Sequence, residues 1–227
     1  MRILLTRPEA DARRSADVLH AAGFETLIAP LFEIAATSEQ IPTENFTSLL
    51  ATSAHAFDAV ASDILHRPLS VVGERTAETA KSKGFQVTRI AADGESLAQQ
   101  IGQGAEHFLY LAGRERRPEL EALLSAQGHR VTPWIVYETR SAERFPASAK
   151  QELDSGTIDA VLHFSTRSAS LYRSLAYEAG CGTQALAPAQ IAISTRAARE
   201  LAGASLIKIA PTPDLAGLIS ALKALSS

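Results

Sequence analysis

Two stretches decide the fold: LLTRPEADARRSADVLHAAGFETLIAPLFEI (4–34) and LYLAGRERRPELEALLSAQGHRVTPWIVYET (109–139). Each reads as an apolar run, a helical run ending in glycine, a second β-rich run and an aromatic-Glu pair, Phe32-Glu33 in one and Tyr137-Glu138 in the other. In the first, RILLT (2–6) predicts a strand and residues 9–22 a helix, with Ala12, Ala16, Leu19 and Ala22 on one face. Gly23 supplies the left-handed residue that stops that helix. Two further pairs repeat: LLATSAHAFDAV (49–60) with LHFSTRSASLYR (162–173), and VVGERTAETAKSKG (71–84) with AISTRAARELAG (192–203). The chain order is therefore A, B, A′, B′.

Ten β-rich runs follow from this pattern: 2–6, 25–30, 47–51, 69–73, 86–90, 107–112, 129–138, 159–164, 190–194 and 205–210. Their alternation with helical runs predicts an α/β protein with parallel sheets. Between them, Phe57, Val60, Ala61, Ile64 and Leu65 fall at i, i+3, i+4, i+7 and i+8 and predict an amphipathic helix. Joining one A unit to one B unit gives five strands per lobe. B runs into A′ through a few residues near Gly102 and Gly104, whereas A to B and A′ to B′ cross through the long stretches 31–45 and 136–157. Short connections stay within a domain, so B pairs with A′. The expected domains are a discontinuous lobe, 1–35 with 139–227, and an inserted lobe, 36–138. Two extended crossings, near 31–36 and 136–141, would then run side by side as a hinge, with the ligand in an interlobe cleft.

Composition narrows the class. With 227 residues, 46% hydrophobic and 21% charged, the chain is globular and long enough to bury a core without a metal or disulfide. Its one cysteine, Cys181, has no internal partner for a disulfide. The start, Met1-Arg2-Ile3-Leu4-Leu5-Thr6-Arg7, is too short an apolar stretch for a signal peptide, and no run approaches the roughly 20 residues that span a bilayer. A cytoplasmic protein without a membrane partner is expected. The net charge of -3 gives no basic excess of the kind that tracks nucleic acid.

The standard cofactor signatures are absent: G-x-G-x-x-G, G-x-x-x-x-G-K-[ST] and G-x-S-x-G do not occur, and the six histidines show no metal-ligand spacing. What recurs is hydroxyl, glycine and arginine at the carboxyl ends of strands, where open α/β sheets bind ligands. The instances are Thr6-Arg7, Thr52-Ser53, Gly73-Glu74-Arg75-Thr76, Gly113-Arg114, Ser165-Thr166-Arg167-Ser168 and Ser194-Thr195-Arg196. Each is read as a helix start, and a helix N-terminus offers unpaired N–H groups and partial positive charge to an anion. Singly, each Ser or Thr is an ordinary N-cap and each Arg a solvated charge. Their recurrence in both lobes points to anion binding. On this reading the Arg side chains and helix N-termini gather at one cleft, and Glu44, Asp63, Glu106, Glu121 and Glu152 lie elsewhere.

The ordered set LLTRP (4–8), APLFEI (29–34), ATSAHAF (51–57), VVGERTAETAKSKGF (71–85), LAGRERRPEL (111–120), VYET (136–139), HFSTRSA (163–169) and IAPTPDLAGLISAL (209–222) resembles the uroporphyrinogen-III synthase family over essentially the whole chain. The resemblance implies two flavodoxin-like lobes with five-stranded parallel sheets, joined by a two-stranded linker, in a cofactor-free monomer. It implies a lyase of haem and porphyrin biosynthesis that cyclises hydroxymethylbilane, a linear tetrapyrrole with eight carboxylates, to uroporphyrinogen III, inverting ring D and losing water. A transient contact with the upstream hydroxymethylbilane synthase is the macromolecular partner it suggests. Its substrate-binding positions match Thr52, Ser53, Gly73, Thr76, Ser165 and Thr166, and its tyrosine near the second crossing matches Tyr137. Where the family often keeps glycine and threonine, this chain has Ser194 and Ala197, which passes that contact to Thr195 or Arg196.

Tyr137 is the candidate catalytic residue, hydrogen-bonding the departing hydroxyl; its repeat partner Phe32 can only pack. Arg7, Arg114 and Arg167 are further candidates for substrate carboxylates, while His55 and His163 are assigned no role. Two alternatives belong to other classes. One is a two-lobed protein that closes on a small anion without chemistry, and the other a two-lobed glycosyltransferase, for which 227 residues is short.

Overall fold

The structure, a computed structural model, describes residues 1–58, 60 and 62–225. In chain order the elements are β1 (Arg2–Leu5), α1 (Glu9–Ala21), β2 (Glu25–Ile28), β3 (Phe32–Ala36), β4 (Ser48–Ala51), β5 (Pro68–Val72), α2 (Glu74–Ser82), β6 (Gln86–Ala91), α3 (Gly94–Ile101) and β7 (His107–Gly113). They continue with α4 (Glu119–Ala126), β8 (Arg130–Ser141), α5 (Ala147–Asp154), β9 (Ala160–His163), α6 (Thr166–Glu178), α7 (Gly182–Leu186), β10 (Ala189–Ala192), α8 (Thr195–Arg199), β11 (Ile207–Ile209) and α9 (Leu215–Lys223). The chain divides into two compact units, Met1–Glu33 with Arg140–Ser227, and Ile34–Thr139.

The first unit carries a five-stranded parallel sheet in the order β11-β10-β9-β1-β2. Its strands alternate between two apolar faces. Leu4 and Val161 point into a cluster with Leu153, Tyr172 and Ala197, from α5, α6 and α8. Ile3, Leu5 and Leu162 point the other way, onto Ala16 and Leu19 of α1 and Leu218 and Leu222 of α9. Helices therefore cover both faces, which is why these strands read as continuous apolar runs. Each fully buried leucine contributes roughly 1.5–3 kcal/mol.

The second unit contains five parallel strands, β8-β7-β4-β5-β6, with β3 added beside β8. The Thr37 N–H donates to the Val136 carbonyl and the Ala142 N–H to the Leu31 carbonyl, so partner numbers on one strand fall as those on the other rise, the antiparallel pattern. This sheet is mixed. Leu49, Leu69 and Leu109 face Ala77 and Ala80 of α2, whereas Leu50, Phe108 and Tyr110 face Leu97 of α3 and Leu120 and Leu124 of α4.

The internal repeat explains the strand order of both sheets. Matching A with A′ and B with B′ equates β1 with β7, β2 with β8, β9 with β4, β10 with β5 and β11 with β6, and the two orders become identical. One sheet is a circular permutation of the other's connectivity. Gly23 and Gly128, the repeat-matched residues after α1 and α4, both adopt the left-handed conformation, with φ of +86° and +94°.

Two expectations are corrected. The stripe at Phe57–Leu65 does not form one α-helix; the chain makes 3₁₀ turns at Ala54–Phe57 and Ser62–Ile64, and Ala61 lies outside the described residues. Each short turn still buries an apolar residue of the stripe, Phe57 in the first and Ile64 in the second. The second sheet has six strands and not five, because Phe32–Ala36, read as an extended crossing, pairs with β8 and brings the strands described to eleven.

Candidate functional site

A cleft of about 450 Å³ opens in the second unit at the carboxyl ends of β4, β5, β7 and β8. Thr52, Ser53, Tyr110, Gly113 and Tyr137 line it, with Arg116 and Arg117 from the approach to α4, Leu120 from α4 itself, and Gly94 and Glu95 from α3. Tyr137 reaches it through a β-bulge. Ala112 pairs with Ile135 but Gly113 pairs with Tyr137, so Val136 is the extra residue. The bulge turns Tyr137 onto the face of Val136 and directly over Gly113. Its ring also lies 5.9 Å from that of His55, and the Arg114 N–H donates to its carbonyl at 2.9 Å. The Tyr137 hydroxyl makes no hydrogen bond to another described residue.

Thr52 and Ser53 follow β4 directly. Thr52 Oγ1 shares a 2.7 Å hydrogen bond with the phenol of Tyr110, and Ser53 Oγ accepts from the His55 N–H at 3.3 Å. Gly73 and Thr76 stand beyond β5 and do not line the cleft. Gly73, at φ +87°, is the N-cap of α2 and, having no side chain, provides no side-chain cap to that helix. Thr76 is buried, its Oγ1 3.7 Å from where a Cβ on Gly73 would stand.

Arg114 is engaged elsewhere. Its guanidinium donates to Glu138 at 2.7 Å and to Glu39 at 3.4 Å, and α4 begins only at Glu119, so Gly113-Arg114 is not a helix start. The guanidinium groups that line the cleft belong to Arg116, bound to Glu121 at 2.7 Å, and to Arg117. Glu95, Glu115 and Glu119 share the lining, so its charge is not predominantly positive.

In the first unit, Thr166 and Arg167 line a depression of about 490 Å³ with Ser141, Ser170 and Ser174. Arg167 donates to Ser141 Oγ at 3.0 Å and lies 5.2 Å above the Phe32 ring. Ser165 closes α6 with a capping box: its hydroxyl accepts from the Ser168 N–H at 3.0 Å and Ser168 Oγ accepts from the Ser165 N–H at 3.1 Å. Ser194 likewise accepts from the Ala197 N–H, with exposed Thr195 next to it. Arg7 is held by Ser15 at 3.0 Å and Asp11 at 3.9 Å, and stacks 4.1 Å over Phe164. Arg7, Ser165 and Thr195 do not line the depression.

Sequence reasoning missed Tyr110, Arg116 and Arg117. Tyr110 sits in a strand buried from Phe108 to Gly113, where an aromatic reads as core; the Arg-Glu-Arg-Arg run at 114–117 was the available signal for the other two.

A family model described as uroporphyrinogen-III synthase HemD matches residues 13–220. The chain belongs to the uroporphyrinogen-III synthase family. Its reaction is accordingly the cyclisation of hydroxymethylbilane to uroporphyrinogen III, and binding of a small anion without chemistry is not favoured. Among solved structures, uroporphyrinogen-III synthetase from Helicobacter pylori is 18% identical over 99% of this chain and 100% of that one, with a TM-score of 0.63. A mutant uroporphyrinogen III synthase from Thermus thermophilus is 16% identical over 99% and 98%, with a TM-score of 0.52. At these identities the two likenesses speak to the fold. No curated protein sequence matches the chain significantly. Among the described residues, no helix is long and apolar enough to cross a membrane.

Proposed function

We propose that the Tyr137 cleft is the catalytic part of this synthase and that strand-end groups receive the substrate carboxylates. Thr52 and Ser53 in the cleft, the N-terminus of α2 after Gly73 with Thr76 beneath it, and Ser165, Thr166, Arg167 and Thr195 of the first unit form this set. Arg7 and Arg114 belong to it only by giving up the ion pairs that now hold them. The observation that carries the reading is the bulge at Val136, which delivers a tyrosine hydroxyl with no hydrogen-bond partner among the described residues to the cleft lined by Thr52 and Ser53.

In the proposed mechanism the ring A end of hydroxymethylbilane loses its hydroxyl and becomes an electron-poor azafulvene. The substituted carbon of ring D attacks it, and the resulting spiro intermediate fragments and recloses with ring D reversed. Tyr137 hydrogen-bonds the departing hydroxyl. A phenol of reference pKa about 10 is a weak acid at neutral pH, so it assists departure without full proton transfer. The open substrate also cyclises unaided to the unreversed isomer, and a hundredfold preference for the type III product requires about 2.7 kcal/mol. Holding the two reacting ends together supplies more than that.

The same reading makes the chain a cytoplasmic, monomeric, cofactor-free lyase, with substrate handed over transiently by the upstream synthase. Its lobes, 1–35 with 139–227 and 36–138, are flavodoxin-like, with the crossings near 31–36 and 136–141 as a two-stranded linker. The strand order 2-1-3-4-5 within the first unit, and its permuted copy in the second, support this description. Tyr137→Phe tests the catalytic assignment: turnover to the type III isomer should fall at least about tenfold with little change in KM. Unchanged turnover would remove Tyr137 from any acid role.

A further inference from the structure

Tyr110 stands inside β7, its Cα in register with Leu50 of β4. Thr52 lies two residues beyond Leu50, so the two-residue period of a strand places it on the same face and one step nearer the strand ends. The Tyr110 ring bridges that step, and its phenolic oxygen lies 2.7 Å from Thr52 Oγ1. Tyr110 is only 3% exposed, and among the described residues Thr52 is the one hydrogen-bond partner of its hydroxyl. Burial pushes this phenol above its ordinary pKa, so the proton stays in place.

Either oxygen can in principle donate, and the surroundings decide between them. If Thr52 donated to Tyr110, the phenolic proton of this 3% exposed side chain would have no acceptor among the described residues, the costly arrangement. If Tyr110 donates, both groups are satisfied, and the Thr52 proton turns to the cleft that Thr52 lines. Ser53, next to it, is used the opposite way, as an acceptor for the His55 N–H.

We infer that Tyr110 is a positioning residue that fixes Thr52 as a hydrogen-bond donor to a carboxylate of the substrate. The inference rests on the reading of this cleft as the substrate site. The test is steady-state kinetics with hydroxymethylbilane on Tyr110→Phe, Thr52→Val and the double variant. Thr52→Val should raise KM about tenfold, the loss of one hydrogen bond to a charged group, and Tyr110→Phe about threefold with kcat little changed. The double variant should be no worse than Thr52→Val alone, because Tyr110 acts through Thr52.

A KM effect of Tyr110→Phe that persists in full without the Thr52 hydroxyl would overturn the inference, since Tyr110 would then act by packing. Thr52→Val raising KM while Tyr110→Phe does not would overturn it and leave the cleft reading standing. No change in KM for Thr52→Val would remove both. Should Tyr110→Phe fail to fold, 3-fluorotyrosine at position 110, a stronger donor of nearly the same shape, should lower KM; an unchanged or raised value contradicts the inference.

Discussion

Gly113 and Tyr137 are packed so closely that a Cβ on Gly113 would stand 2.6 Å from Cζ and 2.7 Å from the hydroxyl oxygen of Tyr137. The glycine is therefore the floor on which the catalytic candidate lies. Gly113 does not have a positive φ, so its backbone tolerates alanine and the methyl group acts only on the ring.

Gly113→Ala should consequently displace the phenol. Misplacing a catalytic group by about 1 Å can cost on the order of a hundredfold in rate, whereas overpacking costs about 1–3 kcal/mol of stability. The expected outcome is a fall in type III turnover of about tenfold or more in a protein that still unfolds cooperatively, measured by product analysis and urea denaturation. Full turnover would show that the ring position does not matter.

Arg167 is exposed, and its guanidinium is steadied by Ser141 and the Phe32 ring. Exposed charge pairs are weak, about 0.2–1 kcal/mol, so Arg167→Ala should raise KM by about twofold to fivefold and lower kcat less. Kinetics at low and high salt provide the check. A KM equal to that of the wild type takes Arg167 out of the site.

The candidate site was legible in proportion to how local its cues are. Hydroxyls after strands identify themselves by position, and Thr52, Ser53 and Thr166 do line cavities. Arg114 shows the limit: what its guanidinium touches depends on the β7–β8 register, which brings Glu138 beside it. Tyr110 shows the same limit from the other side, because its partner Thr52 is 58 residues away in the chain. For the fold, the repeat carried the architecture because each copy must bury the same faces. The segment at 57–65 misled because apolar spacing records which residues can be buried, and two short 3₁₀ turns bury Phe57 and Ile64 without a continuous helix. The strand at Phe32–Ala36 escaped because its pairing partner, not its composition, makes it one.

His163 makes the acid stability of the fold predictable. Gln190 donates through Nε2 to the carbonyls of Ala185 and Pro188, so its Oε1 accepts from His163 Nε2 at 2.8 Å. Nδ1 of the fully buried ring has no hydrogen-bond partner. Desolvation lowers the pKa to about 4, only partly offset by Gln190. In the unfolded chain the ring takes up its proton near pH 6.5. Between these values the unfolded state binds more protons, so stability is full above about pH 6.5, declines as pH falls and levels off below about 4. From pH 7.5 to 4.5 this residue alone should cost about 2–3 kcal/mol. Urea midpoints for wild type and His163→Leu check it: the variant should be less stable at neutral pH and lose less on acidification. Parallel pH profiles would refute the assignment.

The most direct measurement is product analysis with the unmodified protein. Freshly generated hydroxymethylbilane is incubated with the chain or with buffer, and the type I and type III isomers are separated. A synthase that holds ring D for inversion yields predominantly the type III isomer, while buffer yields the type I isomer. A product mixture identical to that of buffer would contradict the account.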